Sequence, residues 1–298
     1  MSLLRYDFVQ NALVAGAIIA VVAGLVGRFV VARNLSFAVH GIAEVGFTGA
    51  AGAVLLGVEP VLGLMSGALL AALGIGTLGV RLRDRDVAIG SILAFGLGLG
   101  VLFLTLYTRY ATEAFTILFG TITGVSRGEV FLLLGLGVVT LLALAVISRP
   151  LMFASVDPEV AEARGVPVRA LSIAFLVILA IAVSEAVQVV GVLLVLTLLI
   201  TPAASAQKLT ARPAMASLLS VLIAFGCTMG GILVSLVTPY PASFYVSALS
   251  FGSYLLARLI GPRLAARARR GADQAPATAL RDGQPGLQVG QSPEKTSL

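Results

Sequence analysis

Long apolar runs alternate with short polar breaks along almost the whole chain. Nine runs stand out, over residues 11–32, 38–57, 60–80, 87–108, 129–148, 170–188, 190–206, 215–237 and 242–260. A helix rises 1.5 Å per residue, so a run of about 20 residues crosses about 30 Å of hydrocarbon. The pattern predicts an all-α fold: a polytopic integral membrane bundle of about nine transmembrane helices. Ala111 to Gly128 mixes apolar and polar positions and reads as an interfacial or partly inserted segment. The sixth and seventh runs join through Val190 and Gly191, and Gly191 is the expected break. No small-residue cleavage site follows the first run at signal-peptide spacing, so that run reads as a retained span.

Composition agrees with the periodicity. Hydrophobic residues make up 58% and charged residues 11% of the 298 residues, against about 25% charged in soluble domains. So little charge cannot clothe a water-soluble surface. The net charge of +6 sits in the short connections. Arg28 and Arg33, then Arg81, Arg83 and Arg85, then Arg149, Arg164 and Arg169, then Lys208 and Arg212 fall at alternate connections, and Arg258, Arg263, Arg267, Arg269 and Arg270 lie at the C-terminal end of the last run and beyond it. The opposite side holds Arg5, Arg109 and Arg127. The bias predicts an outside N-terminus and a cytoplasmic C-terminus. Residues 1–262 therefore form the membrane domain, and 263–298 a basic, then disordered cytoplasmic tail rich in Gly, Pro, Gln, Ala and Ser. Its basic run is expected at the anionic inner leaflet. Cys227 is the single cysteine, which excludes an intrachain disulfide.

Ionisable groups within spans are costly and mark function by default. His40 and Glu44 stand four apart in the second run and share a helical face. His40 is the only histidine. Imidazole plus carboxylate suits zinc, manganese or ferrous iron. Glycines 41, 46, 49 and 52 slim that helix and admit a close neighbour. The pair is read either as a metal pathway wall or as a structural pairing at a helix end. Glu185 and Gln188 form a second polar pair, read as a possible substrate entrance or as a link to a neighbouring helix. Between the fifth and sixth runs, Asp157 suits an N-cap, Pro158 a first turn, Glu159 the acidic end, Gly165 a C-cap and Pro167 a stop. Residues 157–167 thus predict a short capped helix in a cytoplasmic loop. It is either a plain loop helix or a docking lever for a soluble partner.

That short helix, with Asp157, Ala161 and Gly165, is similar to the coupling helix of ABC importer permeases. Val190-Gly191 leading to Thr201-Pro202-Ala203-Ala204 resembles the signature segment of the bacterial metal-ion (zinc, manganese or iron) ABC permease family, where Gly opens the helix and Pro-Ala-Ala closes it. Leu118-Phe119-Gly120, Gly230-Gly231 with Ser235, and the Pro239-Tyr240-Pro241 turn resemble further motifs of that family, in order from about residue 8 to 262. The resemblance implies a permease subunit that imports zinc, manganese or iron. It implies two ATPase subunits engaging Asp157, Glu159, Ala161, Glu162 and Gly165, an extracytoplasmic binding protein, and a second permease copy in a homodimer. Many relatives carry Asp and then His, four apart, where this chain has His40 and Glu44, so the ligand types are exchanged. There is no Walker A pattern, so the chain is not expected to hydrolyse ATP, and no resident cofactor is expected beyond the transported ion. A stand-alone secondary transporter using Glu44, His40 and Glu185 as a proton relay, and a permease for a larger chelate, are the alternatives.

Overall fold

The computed structural model describes residues 6–78, 82–106, 120 and 124–273. Most of the mixed segment from 111 to 128, including Leu118 and Phe119, lies outside the described residues, as do 274–298 of the tail. The described residues form ten α-helices and no strand. They are α1 Asp7–Ala32, α2 Ser36–Leu55, α3 Pro60–Leu78, α4 Leu82–Leu106, α5 Arg127–Val156, α6 Pro158–Ala163, α7 Val168–Val190, α8 Val192–Leu209, α9 Pro213–Ser235 and α10 Ala242–Asp273. Eight of these, all but α6 and α8, are long and apolar enough to cross a membrane. The ninth expected span is represented by α8, whose apolar stretch, Leu194–Leu209, is shorter.

Local chemistry sets the ends. Ser126 and Glu129 form a capping box that starts α5. Glu129 Oε2 accepts from the Ser126 N–H at 2.6 Å, and Ser126 Oγ accepts from the Glu129 N–H at 3.3 Å. The α1–α2 corner is closed by bonds from Asn34 N to Val31 O and from Leu35 N to Val30 O. Asn34 adopts φ 54° there, a left-handed conformation that asparagine tolerates better than most residues. Gly191 separates α7 from α8 at φ 82° and ψ 162°, backbone essentially reserved for glycine.

Two expectations need correction. Pro202 does not close its helix: α8 continues to Leu209 and ends at Thr210. Proline removes one backbone bond and bends a helix, but packed neighbours in a bundle let the helix carry on. The last helix also passes residue 260, and its backbone is helical to Asp273. The basic run 263–270 is thus helical, consistent with its Leu, Ala and Arg, which are strong helix formers.

The long helices run between two ends. At one end lie the C-termini of α1, α5 and α8 and the N-termini of α7 and α9. Arg33 bonds to Ser155 and Ser172 there, Arg28 to Ser217, and Gln207 Nε2 donates to the Arg28 carbonyl. At the other end Asn11 Nδ2 donates to Val125 O, Asp7 pairs with Arg127, and Gly120 meets the Val189–Gly191 backbone. Arg164, Arg169, Lys208 and Arg212 lie at the first end, which is therefore the basic one.

The hydrophobic core is built chiefly from α1, α2, α3 and α7, with α8 adding Val192, Val195, Leu198 and Leu199. α1, α2 and α7 are the most enclosed spans, whereas α4, α5 and α10 expose most of their apolar surface. Water expulsion does not drive helix pairing in lipid; close packing of small residues does. The α2–α3 contact is the clearest case. A Cβ on Gly49 would run into the Gly63 carbonyl oxygen and lie 3.1 Å from the Gly67 Cα.

Candidate functional site

α2 carries His40 and Glu44 in its first half, near the basic end. Glu44 is 7% exposed, so this carboxylate sits inside the bundle although nothing in its span is water-like. His40 is half-buried, and its Nδ1 is buried with no hydrogen-bond partner. The two residues stand one helical turn apart on the same face of α2. One turn on, Thr48 Oγ1 lies 2.7 Å from the Gly96 carbonyl oxygen and 3.1 Å from that of Glu44, which links α2 to α4. The helix presenting the pair is thus held from both sides, by α3 through Gly49 and by α4 through Thr48. Among the described residues no cluster of three or more His, Cys, Asp or Glu could cage a metal. His40 and Glu44 are thus two groups of ligand type on one helix, fewer than a closed cage requires.

Glu185 is fully buried among α1, α5 and α7. Its Oε1 accepts from Thr140 Oγ1 at 3.0 Å, and its Oε2 faces Gly137 without a hydrogen-bond partner. Gln188 is half-buried and donates to the Ser184 carbonyl at 3.2 Å. The structure does not bring Glu185 to a surface of this chain. Thr140, its donor, was not singled out from sequence, because one threonine in an apolar run carries no sign of which way it faces.

The loop after α5 forms α6, six residues inside the 157–167 window. Asp157 Oδ1 accepts from Val160 N at 3.0 Å, and Pro158 occupies the first turn. The helix closes with Gly165 N to Glu162 O and Val166 N to Ala161 O, Gly165 being at φ 80°. Glu159 and Glu162 are exposed, whereas Ala161 is fully buried. So α6 shows an acidic, polar face outward and seats one methyl inward. Pro167 lies beyond this closure and sits at the N-cap of α7.

Two cavities adjoin α6. One of about 410 Å³ is lined by Arg33, Asn34, Ser155, Glu162, Arg169 and Ser172, among others. A shallower one of about 560 Å³ runs along Gly165 to Ile173. Neither is lined by His40 or Glu44. Arg33 was counted in the charge bias alone; its hydrogen bonds across the corner were not visible in the sequence.

Comparison with known proteins bears on the whole bundle. The model of the ABC 3 transport family matches residues 5–261. The manganese import system permease protein ScaB of Streptococcus parasanguinis is 34% identical over 68% of this chain and 72% of its own. The manganese transport system membrane protein MntC of Halalkalibacterium halodurans is 28% identical over 88% and 90%. The solved structure of PsaBC from Streptococcus pneumoniae in complex with Fab superposes with a TM-score of 0.78 at 28% identity, over 88% of this chain and 95% of that one. An inward-facing putative metal-chelate type ABC transporter shares the fold alone, at a TM-score of 0.61 and 17% identity. With every long helix beginning inside the matched region, this multi-pass bacterial plasma-membrane protein belongs to the ABC 3 transport family of metal ABC transporter permeases.

Proposed function

We propose that the chain is the permease subunit of an ABC importer that moves a divalent metal ion, manganese before zinc or iron. What carries this reading is that relatives named for manganese import match most of its length. The chemistry of α2 supports it. Carboxylate suits Mn²⁺, imidazole is a common partner for divalent first-row metals, and His40 and Glu44 supply one of each on a single enclosed helix. Two ligands hold an ion too weakly for storage and suit a pathway, and a second copy of the chain would bring a second pair to the same axis. Glu185 and Gln188, near the end opposite the basic one, are kept as a possible entrance beside the reading of Glu185 as a link to Thr140.

The chain carries no nucleotide-binding pattern. Energy therefore comes from a separate ATPase that grips α6 through Asp157, Glu159, Ala161, Glu162 and Gly165, and the cargo comes from an extracytoplasmic binding protein. Nucleotide binding biases a two-state equilibrium of the bundle, outward to accept the ion and inward to release it. The basic end faces the cytoplasm, as the charge bias requires.

The test is ATP-driven uptake of manganese into proteoliposomes holding the permease, its ATPase and its binding protein. Wild type is expected to take up manganese only with ATP. His40→Ala and Glu44→Ala are each expected to lower uptake about tenfold or more, with assembly intact, because each removes half of a two-ligand hold. Uptake without nucleotide would favour the secondary-transporter alternative. Unchanged uptake in both variants would remove α2 from the pathway.

A further inference from the structure

Arg33 occupies an unusual position for a residue that ends a helix. It caps α1, and its guanidinium reaches sideways across the basic end. Nη1 donates to Ser155 Oγ at 3.2 Å and Nη2 to Ser172 Oγ at 2.6 Å. Ser155 belongs to the last turn of α5 and Ser172 to the start of α7. These two helices are the arms that meet at α6. The Ser155 hydroxyl spends its own proton on the Leu151 carbonyl at 2.5 Å, which leaves its lone pairs for the guanidinium. One rigid fork thus ties both arms of the α6 corner to the end of α1. A lysine, with one ammonium point, cannot reproduce that two-point span.

The other side of Arg33 is equally fixed. The corner bonds at Arg33, Asn34 and Leu35, with Leu35 2% exposed, make the end of α1 and the start of α2 one stiff unit. The next turns of α2 carry His40 and Glu44. The 410 Å³ cavity opens beside the bridge, between the α1 end, the α5 end, α6 and the α7 start. Dense packing resists displacement, and a void beside the corner gives it room to shift without breaking the core.

We propose that Arg33 is the positioning residue that passes movement of the α5–α6–α7 corner into the first turns of α2. This rests on the transport reading above, since the movement begins with an ATPase on α6 and ends at the metal pair. Arg33 itself touches neither.

The experiment compares metal ions imported per ATP hydrolysed in the reconstituted complex of permease, ATPase and binding protein, with manganese as the probe. Coupling between sites is typically worth about 5- to 150-fold. Arg33→Ala is expected to keep nucleotide hydrolysis within about twofold of wild type while ions per ATP fall about tenfold. Ser155→Ala with Ser172→Ala should produce the same loss, and adding Arg33→Ala to that pair should bring no further loss, as partners in one interaction do. Arg33→Lys should fail to rescue. The hydroxyl deletions remove one oxygen each, so they report even where Arg33→Ala does not assemble. A wild-type ratio in Arg33→Ala, additive losses in the triple variant, or rescue by lysine would overturn the proposal. A wild-type complex that fails to import manganese with ATP would overturn the transport reading itself, and this proposal with it.

Discussion

Glu185 puts a carboxylate where lipid and packed side chains leave no water to solvate it. A buried polar group persists when it finds a partner, and Thr140 supplies one from the neighbouring helix. Thr140→Val keeps the shape and removes the donor. The expected result is a loss of about 1 kcal/mol, at the modest scale of hydrogen bonds between membrane helices. A lowered thermal midpoint in detergent would register it, and Thr140→Ser should retain the wild-type value. Transport of manganese by Thr140→Val then separates the two readings of Glu185. Uptake that falls no more than stability explains leaves Glu185 as a helix link, whereas a larger fall puts it on the ion path.

At the scale of elements, two glycines with positive φ behave differently. Gly191 joins α7 to α8 with its backbone against Gly120, where a Cβ on Gly120 would meet the Gly191 nitrogen and the Val189 oxygen at 2.5 Å. Gly191→Ala forces a side chain into glycine-only backbone, so it should destabilise by about 1–3 kcal/mol and reduce the folded yield of purified protein. Gly165 ends α6 in open space, with nothing within 4 Å of a built Cβ. Gly165→Asn should therefore fold normally, since asparagine accepts the left-handed C-cap. On the opposite end of α6, Asp157→Ala removes the acceptor for Val160 N and should weaken that helix by about 1 kcal/mol. Its thermal midpoint should hardly move, because α6 contributes little to the core, whereas manganese imported per ATP should fall. A wild-type ratio would show that the cap is not needed for the lever.

At the scale of the molecule, the charge bias predicts an orientation, and the fold supplies the landmarks to test it. Cys227 is buried, so a new exposed cysteine can be labelled selectively. Ala211, between α8 and α9, lies at the basic end, and Glu59, between α2 and α3, lies at the other; both are exposed. In intact cells a membrane-impermeant maleimide should label Glu59→Cys and not Ala211→Cys, and inverted vesicles should give the reverse. Labelling of Ala211→Cys from outside would reverse the assigned sidedness and with it the face on which α6 is gripped. The same basic end gathers Arg28, Arg33, Arg164, Arg169, Lys208 and Arg212 from separate connections, as expected when antiparallel helices return alternate loops to one side.

Hydrophobic runs and loop charges by themselves determined that the chain is a membrane-embedded helical bundle, and the cap Asp157 marked where a short helix begins. These are local properties: a run either spans hydrocarbon or does not, and a cap needs only its own next three residues. Breaks were readable where the backbone demands glycine, at Gly191, and misread where packing can compensate, at Pro202. Whether a polar residue faces lipid, a neighbour or a path depends on which helices lie beside it, and no periodicity within one run encodes that. Tertiary structure alone therefore decided that Glu185 meets Thr140, that Gly49 lies on Gly63, and that Arg33 reaches Ser155 and Ser172 across more than a hundred residues of chain.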